Sequence, residues 1–342
     1  MNALEHWVGD TSRFFSTYWR QSPHIFEPPG GASSPFTLGD IDAALGSGFF
    51  HEPYLEMWAD DSRLPFRNYT SPRTVAGERP GGFVDTSKVR GLLDEGATLL
   101  LRNVDQWHAP TRHLLTRLAG ELGREIEAFF FVTPAGRAGL PLHRDDADVL
   151  VVQVSGSKHW SVHEGPADGN WGAGRVRRSE AQPAEIMKAV LRQGEVLYIP
   201  RGFAHRATGQ DGLSAHLSLT IREVGSADLA ESLRECLAQD LQVAARPVSD
   251  ATLSDAGAAL LETARDRLAA LTPEALITHA RRRGVERMPG TPGSLSLVEL
   301  AAAWPARGGA ADDGPGDAGA GASTGTERGP GAGRRPAESA TA

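Results

Sequence analysis

The chain has 342 residues, 40% hydrophobic and 23% charged, which allows one large domain and a smaller appendage. Its formal net charge of −8 argues against a surface that binds nucleic acid by neutralising phosphates, so we expect no direct nucleic-acid binding. One cysteine, Cys236, excludes an intrachain disulfide, and no stretch approaches ~18 apolar residues, so we expect a cytoplasmic protein with no membrane span.

Residues 1–95 are predicted to be helices and loops that pack on the core. In residues 12–22, SRFFSTYWRQS, four aromatic side chains follow one helical stripe, and Pro23 should end this helix. Residues 37–45, TLGDIDAAL, predict a short capped helix. Residues 60–86 are rich in Pro, Gly, Arg and Asp, which predicts loops with little regular structure.

Residues 96–225 are predicted to form the core, with one amphipathic helix at residues 111–122. The predicted strands are 96–104, 126–133, 148–154, 159–162, 196–199 and 215–221. Short strands bounded by Gly and Pro are typical of an antiparallel double-sheet barrel of the jelly-roll or cupin kind. The fold class is therefore mainly β with helices (α+β), with a double-stranded β-helix core between N-terminal helices and a C-terminal helical region.

Two strands of this core indicate where its interior lies. DVLVVQV is apolar at nearly every position, which predicts a strand covered on both faces. AHLSLTI alternates, so His216, Ser218 and Thr220 should face a polar lumen. Residues 165–185 are polar and Gly-rich, and we interpret them as a surface loop near the site, either a mobile lid or a passive connection.

The sequence becomes helical after Glu223. Helices are predicted at residues 227–241, 258–271 and 273–283, within a helical region spanning residues 226–305. Their apolar stripe could form a dimer interface or dock within the chain, and Arg281–Arg283 are interpreted as a solvated helix end. Residues 306–342 are almost wholly Gly, Ala, Pro and small polar residues, which predicts a disordered tail.

The candidate metal ligands are two histidines and one aspartate. His143 and Asp145 are two residues apart, so on an extended strand their side chains share a face. Such a pair alone is more often a surface pair or a satisfied core group. His205 follows a second predicted strand and a Pro/Gly turn, 62 residues after His143, as expected for strands that return to one barrel mouth. Two histidines and one carboxylate are the facial triad of non-heme Fe(II) oxygenases, which leaves positions for a cosubstrate and O2.

Lys158 is the second candidate. It begins a predicted strand directed into the barrel, where an ammonium needs an anionic partner such as the distal carboxylate of a dicarboxylate cosubstrate. The alternative is an exposed lysine at a strand end. Asp146 and Asp148 are interpreted as outer or surface groups, one of which could orient a ligand histidine.

Four motifs carry a resemblance to a known family. FFSTYWRQSPHIF, TLLLRNVDQWHAP, FFFVTPAGRAGLPLHRDDADVLVVQVSGSKHW and GEVLYIPRGFAHRAT, within residues 10–225, resemble the JmjC-type ribosomal oxygenases, or cupin-4 family. The resemblance implies an Fe(II)- and 2-oxoglutarate-dependent oxygenase that uses O2, with a helical dimerisation region, a winged-helix region and ribosomal proteins as substrates.

The resemblance also implies roles for individual residues. His143, Asp145 and His205 match the family's iron ligands, and Lys158 matches the residue that pairs with the 2-oxoglutarate C5 carboxylate. Thr220 falls near a Ser or Thr that helps bind the cosubstrate.

This chain departs from the family pattern at three positions. Phe129 and Phe131 stand where related sequences often have Asn and Tyr, and Arg144 where they often have Tyr. Because Phe131 has no hydroxyl, a hydrogen bond to the cosubstrate is either missing or supplied elsewhere.

The predicted function is hydroxylation of a protein or peptide side chain, giving succinate and CO2, with a ribosomal protein as substrate and a possible homodimer. Three alternatives stay open at this point. They are a tailoring hydroxylase of a peptide natural product or small metabolite, a cupin isomerase or hydrolase using Zn or Mn, and a non-catalytic cupin binding module.

Overall fold

The computed structural model describes residues 2–169, 171–177, 179–238, 246–289 and 297–307. The chain divides into two units, residues 1–292 and residues 293–342. All described strands belong to the first unit, and the second contributes one described helix. No described helix combines the length and the apolar character needed to cross a membrane.

Fifteen strands are found among these residues. They are β1 (His24–Phe26), β2 (Leu55–Ala59), β3 (Ser62–Arg63), β4 (Thr70–Ser71), β5 (Phe83–Val84), β6 (Thr98–Leu101), β7 (Ile126–Pro134), β8 (His143–Arg144), β9 (Ala147–Ser155), β10 (Ser157–His163), β11 (Gly174–Arg175), β12 (Glu185–Arg192), β13 (Val196–Ile199), β14 (Ala204–Gly209) and β15 (Leu213–Arg222).

The α-helices are α1 (Glu5–Val8), α2 (Thr11–Arg13), α3 (Leu38–Gly46), α4 (Thr86–Asp94), α5 (Val104–Trp107), α6 (Ala109–Leu122), α7 (Ser226–Ala238), α8 (Asp250–Ala270), α9 (Pro273–Arg287) and α10 (Leu297–Arg307). A π-helical turn, Phe14–Tyr18, continues α2, and a short 3₁₀ helix spans Phe66–Asn68.

Two antiparallel sheets build the core. The larger has the order β1-β13-β9-β15-β7-β6-β2-β3, and the smaller has the order β11-β8-β14-β10-β12. Consecutive strands alternate between the larger and the smaller sheet from β7 to β10 and from β12 to β15, whereas β10, β11 and β12 all lie in the smaller one. The prediction of a double-stranded β-helix core with flanking helices is therefore confirmed.

The central strands of the larger sheet have two different faces. On β9, Leu150 and Val152 pack in the main hydrophobic core, whereas Val149 and Val151 belong to a smaller cluster between the sheets. On β15, Leu217, Leu219 and Ile221 pack in the main core, leaving the opposite face for its polar residues. Both sequence interpretations, the doubly covered strand and the polar lumen, are confirmed.

The N-terminal region agrees with the prediction in part. Thr37 caps α3 through a capping box with Asp40, as predicted. The aromatic helix, in contrast, ends at Tyr18 and not at Pro23. Arg20 takes a left-handed conformation with φ of 58°, which a helix cannot continue through. Residues 60–86 are mostly irregular, but they include the short strands β3, β4 and β5.

Nine of the fifteen described strands are missing from the prediction, and the short strands β1, β3, β4, β5 and β8 are five of them. β2 extends the larger sheet, and β12 and β14 flank β10 in the smaller one. β11 lies inside the segment 165–185 that was interpreted as a loop. Half of the residues of β12 are exposed and β14 contains His, Arg and Thr, so neither has the uninterrupted apolar run that predicts the other core strands.

The C-terminal helices follow the predicted order. Pro273 occupies the first turn of α9, and α7 contacts both α8 and α9. The interpretation of the arginine run as a solvated end is wrong for Arg281 and Arg283, which form ion pairs with Glu223 and Glu235 at 2.7 Å. The part of the predicted helix 227–241 that follows Ala238, and the predicted tail beyond Arg307, lie outside the described residues. The four-part domain division stays a prediction.

Candidate metal and cosubstrate site

Three predicted ligands meet at one end of the space between the sheets. His143 on β8 and His205 on β14 are cross-strand partners, so their side chains project from the same face. Asp145 directly follows β8, and its two carboxylate oxygens lie 3.7 Å from His143 Nε2 and 3.6 Å from His205 Nε2. One ligand atom from each residue falls within 4.8 Å of the others, which is close enough to share a metal ion.

The hydrogen bonds of the two imidazoles leave their Nε2 atoms available to bind a metal. His143 Nδ1 lies 2.8 Å from the Pro141 carbonyl oxygen, and His205 Nδ1 lies 3.0 Å from that of Phe203. A carbonyl can only accept, so each Nδ1 carries the hydrogen and each Nε2 presents its lone pair. The donor set of two Nε2 atoms and a carboxylate therefore fits a divalent transition metal.

Electrostatics keep His205 in the form that binds a metal. Burial, and then the charge of the neighbouring His143, lower the pKa of His205 to about 4. The ring is therefore neutral near pH 7. Asp145, by contrast, is about one-third exposed, so the metal end of the site faces solvent.

Neither neighbouring aspartate orients a ligand histidine. Asp146 forms an ion pair with Arg201 at the surface. Asp148 is fully buried and accepts hydrogen bonds from the Tyr198 hydroxyl at 2.6 Å and from Arg20 Nε at 3.3 Å. Backbone carbonyls hold the ligand rings instead.

Lys158 lies in the interior, which excludes the alternative of an exposed strand end. Its side chain is among the most completely buried in the described chain, at 1% exposure. Its Nζ is 2.8 Å from His216 Nδ1 and lies over the Phe131 ring, 5.9 Å from the centroid. Burial lowers the pKa of the Lys158 ammonium from 10.5 to about 7, and no carboxylate in the described part of the chain compensates its loss of solvation.

The sequence predicts His216 only as a residue of the polar face and not as part of the site. Burial, and then the charge of Lys158, hold the pKa of His216 far below its ordinary value, so the imidazole is neutral. It stacks on Phe131 with centroids 4.8 Å apart and planes within 13°. The alternation in AHLSLTI placed His216 on the correct face, but no sequence signal showed that it reaches Lys158.

One cavity of about 220 Å³ connects the metal ligands to Lys158. The larger sheet contributes Phe129, Phe131, Val149, Val151, His216, Ser218 and Thr220 to its walls, and the smaller sheet contributes His143, Lys158, Trp160, His205 and Ala207.

Thr220 lines this cavity at a different position along β15 from His216. It lies four residues along β15 from His216, a separation of ~13 Å at the rise of an extended strand. Its cross-strand partner is Val149, four residues after Asp145. Thr220 therefore lies nearer the metal end of the cavity than His216, whose partner on β9, Gln153, is eight residues after Asp145.

Two ion pairs flank the entrance to the cavity. Arg102 donates to both oxygens of Glu56, at 2.7 and 3.2 Å, and its guanidinium lies over the Phe129 ring. Arg222 pairs with Glu127 at 2.6 Å. Both arginines line the cavity, and each is already paired with a glutamate. They can therefore offer N–H donors to a ligand, but they add no unpaired positive charge to the cavity.

The segment 165–185 is attached to the metal end. Strand β11 within it pairs with β8, placing Arg175 opposite His143. Arg175 also forms an ion pair with Asp61 on the other sheet's β2–β3 connection, at 3.5 Å. The segment therefore supports the strand that carries a metal ligand, and the predicted choice between a lid and a passive connection stays open.

Comparison with known proteins gives a consistent result. Residues 107–229 match the JmjC domain family model. The chain is 27% identical over 214 residues to Ribosomal oxygenase 1 of Gallus gallus, covering 60% of this chain and 34% of that protein. It is 24% identical over 242 residues to Ribosomal oxygenase 2 of Bos taurus, covering 66% of this chain and 48% of that one.

A third relative is the bifunctional lysine-specific demethylase and histidyl-hydroxylase NO66 of Drosophila simulans, 31% identical over 160 residues, covering 45% of this chain and 19% of that protein. The chain thus spans less than half the length of these curated relatives.

Solved structures of Escherichia coli YcfD are also similar. An X-ray structure has 17% sequence identity and a TM-score of 0.49, covering 79% of this chain and 70% of that one. A structure of the ribosomal oxygenase YcfD with cobalt and 2-oxoglutarate has 18% identity and a TM-score of 0.48, covering 79% and 69%. From the family match and the curated relatives, we conclude that this chain carries a JmjC domain at residues 107–229 and is related to the ribosomal oxygenases.

Proposed function

We propose that this protein is an Fe(II)- and 2-oxoglutarate-dependent oxygenase that hydroxylates a side chain of a protein or peptide. One observation carries the proposal. One cavity has a two-histidine, one-carboxylate cluster at its open end and, at its buried end, an ammonium that meets no carboxylate among the residues the structure describes. A metal and an elongated anionic ligand are the chemical species that these two ends fit.

Each residue then has a distinct task. His143, Asp145 and His205 hold the iron, and the carbonyl-bonded Nδ1 atoms keep both rings oriented. When bound, Fe(II) supplies O2 activation, coupling oxidation of 2-oxoglutarate to succinate and CO2 with insertion of one oxygen atom into the substrate. Lys158 binds the far carboxylate of 2-oxoglutarate by a charge-assisted hydrogen bond. The Thr220 hydroxyl contacts the cosubstrate at the metal end.

The walls of the cavity suit chemistry that must be kept from water. Val149, Val151 and Phe129 are apolar, and Trp160 is 4% exposed. An apolar lining strengthens the attraction between Lys158 and a carboxylate, and it limits solvent access to the reacting atoms. The protein thus contributes position and exclusion of water.

Ribosomal proteins are the proposed substrates. The support is that two relatives carry the name ribosomal oxygenase and a third the name histidyl-hydroxylase. Intact-mass measurement of ribosomal proteins from wild-type and deletion strains tests this directly. We expect one protein to lose the mass of one oxygen atom in the deletion strain, whereas unchanged masses would favour the peptide or metabolite alternative.

The reaction itself is tested by succinate release. Purified protein with Fe(II), ascorbate and 2-oxoglutarate should release succinate, and the His143→Ala variant should release at least roughly 100-fold less, since one of three iron ligands is gone. His24→Ala is a matched control, because His24 stacks on Tyr18 at the N-terminal end of the fold, away from the cavity. Equal activity of wild type and His143→Ala would contradict the proposal.

We further propose a cytoplasmic homodimer that does not bind nucleic acid directly. Helix α8 supports the dimer, because Leu253, Leu261 and Leu268 follow its heptad-like spacing and are 60%, 66% and 56% exposed. Light scattering should give twice the chain mass, and Leu261→Asp with Leu268→Asp should give one chain mass. A monomeric wild type would remove this part of the proposal.

A further inference from the structure

The Lys158 ammonium has a single polar neighbour among the residues that the structure describes. That neighbour is Nδ1 of His216, at 2.8 Å. An ammonium has three donors, so one is used by His216 and two are available to a ligand. Phe131, the aromatic residue beneath Nζ, contributes a ring face but no hydroxyl.

The His216 ring is fixed by rings on two sides. It stacks on Phe131 at 4.8 Å and meets Trp160 edge-on at 5.4 Å. Because the ammonium donates to Nδ1, that nitrogen must be unprotonated, and a buried imidazole beside a cation is neutral. His216 is therefore a rigid, neutral acceptor that determines where the flexible lysine side chain ends.

The distance from this end to the metal ligands restricts what can bind. On β10, Lys158 is four residues from Val162, the cross-strand partner of His205. Four residues of strand correspond to ~13 Å of backbone, part of which the extended lysine side chain can span. A ligand that contacts both the metal and the ammonium must therefore reach along the cavity and carry a negative charge at its far end, and a 2-oxo monoacid has no second carboxylate to do so.

We propose that His216 is a positioning residue that selects a 2-oxo diacid over a 2-oxo monoacid by holding the Lys158 ammonium in line with the far carboxylate. The inference rests on the proposed function, since it takes 2-oxoglutarate as the diacid. His216 acts through Lys158 and does not itself touch the metal ligands.

The test is binding rather than turnover. Calorimetric titration of the Fe(II)-loaded protein without O2 compares 2-oxoglutarate with 2-oxobutyrate, which keeps the 2-oxo acid end but lacks the far carboxylate. His216→Phe keeps the stack on Phe131 and removes the acceptor, so 2-oxoglutarate affinity should fall roughly tenfold or more while 2-oxobutyrate affinity changes less than about twofold. His216→Gln, whose amide oxygen can accept, should recover most of the loss.

A double-mutant cycle separates positioning from general damage. In a Lys158→Met background, His216→Phe should cause no further loss of 2-oxoglutarate affinity. A further loss there, an equal loss for both acids, or no loss at all in the single variant would each overturn the inference. His24→Phe is the matched control, because it also removes a stacked histidine, on Tyr18 at 4.0 Å, and should leave both affinities unchanged.

The proposed function fails in a different way. If wild type binds neither acid in the presence of Fe(II), the oxygenase proposal is wrong and His216 has no diacid to select. If wild type binds 2-oxoglutarate and His216→Phe binds it equally well, only the role of His216 is wrong. Thermal unfolding of each variant verifies that the compared proteins are folded.

Discussion

The two ends of the cavity differ in how far their side chains are buried and in what orients them. At the metal end, His143 and Asp145 are 17% and 36% exposed, and the backbone orients both ligand imidazoles. At the buried end, Lys158 is 1% exposed, and its one polar partner comes from another strand. The metal end is therefore locally determined, and substitutions there should cost function but little folding stability, whereas the buried end keeps a charge in the interior at a cost in stability.

The largest expected effect is at the metal end. Asp145→Ala should abolish stable iron binding, because it removes the only carboxylate of the three-ligand cluster, and activity should fall at least roughly 100-fold. The free energy of unfolding of the iron-free protein should change by less than about 0.5 kcal/mol, since Asp145 is partly exposed. Metal analysis and urea denaturation measure the two quantities. A large loss of stability would contradict the view that this end is locally determined.

Lys158→Met should show the reverse pattern. Affinity for 2-oxoglutarate should fall roughly 10- to 100-fold, since the charge-assisted hydrogen bond is lost, while iron binding stays unchanged. The iron-free protein should become more stable by about 1 kcal/mol, because a buried ammonium without a carboxylate partner is replaced by an apolar side chain of similar length. Calorimetry and urea denaturation test this, and a destabilised variant would mean that Lys158 supports the fold.

The pH dependence of binding offers a finer comparison. The pKa of Lys158 is about 7, so the ammonium that binds the far carboxylate is lost as pH rises above 7. Affinity for 2-oxoglutarate should therefore fall between pH 7 and 9, by up to about tenfold per pH unit. His205, with a pKa of about 4, and His216, with a lower pKa than usual, stay neutral over this range and do not contribute.

Stability should change in the opposite direction over the same range. Between the folded pKa of about 7 and the unfolded value of 10.5, the unfolded chain binds the extra proton, so the free energy of unfolding contributed by Lys158 rises with pH.

The predicted pH dependence of 2-oxoglutarate affinity is measured by calorimetric titrations at pH 7, 8 and 9, with Lys158→Met as the control. The variant should lose this dependence, and a wild type with pH-independent affinity would show that the neutral lysine binds equally well.

The difference between the two ends also explains what the sequence could predict. His143 and Asp145 could be paired from their spacing, and His205 from the strand and turn before it, because local backbone positions these side chains. The sequence could place Lys158 in the interior, but its partner His216 lies 58 residues further along the chain. The two side chains meet from opposite sheets, and the sequence pattern of neither strand indicates such a contact.

The same contrast holds for the fold. Strands with apolar runs, such as β9 and β13, were predicted to within a residue or two, since burial on both faces determines their composition. Half of the side chains of β12 are exposed and the strand forms an edge of the smaller sheet, so its pattern carries no such signal. β11 has two exposed residues and is recognisable as a strand by its pairing with β8, which the sequence does not show.

Thr220 provides the smallest and most specific test of the division into two ends. Thr220→Val keeps the shape of the side chain and removes the hydroxyl, so affinity for 2-oxoglutarate should fall by roughly two- to tenfold, the usual range for one neutral hydrogen bond. Because Thr220 lies at the metal end, affinity for 2-oxobutyrate should fall by the same factor, unlike in the His216 variants. Ser218→Ala is the matched control, since Ser218 lines the same face of β15 between the two ends. A loss confined to 2-oxoglutarate would place Thr220 functionally with Lys158, against the ~13 Å that separate Thr220 from His216 along the strand.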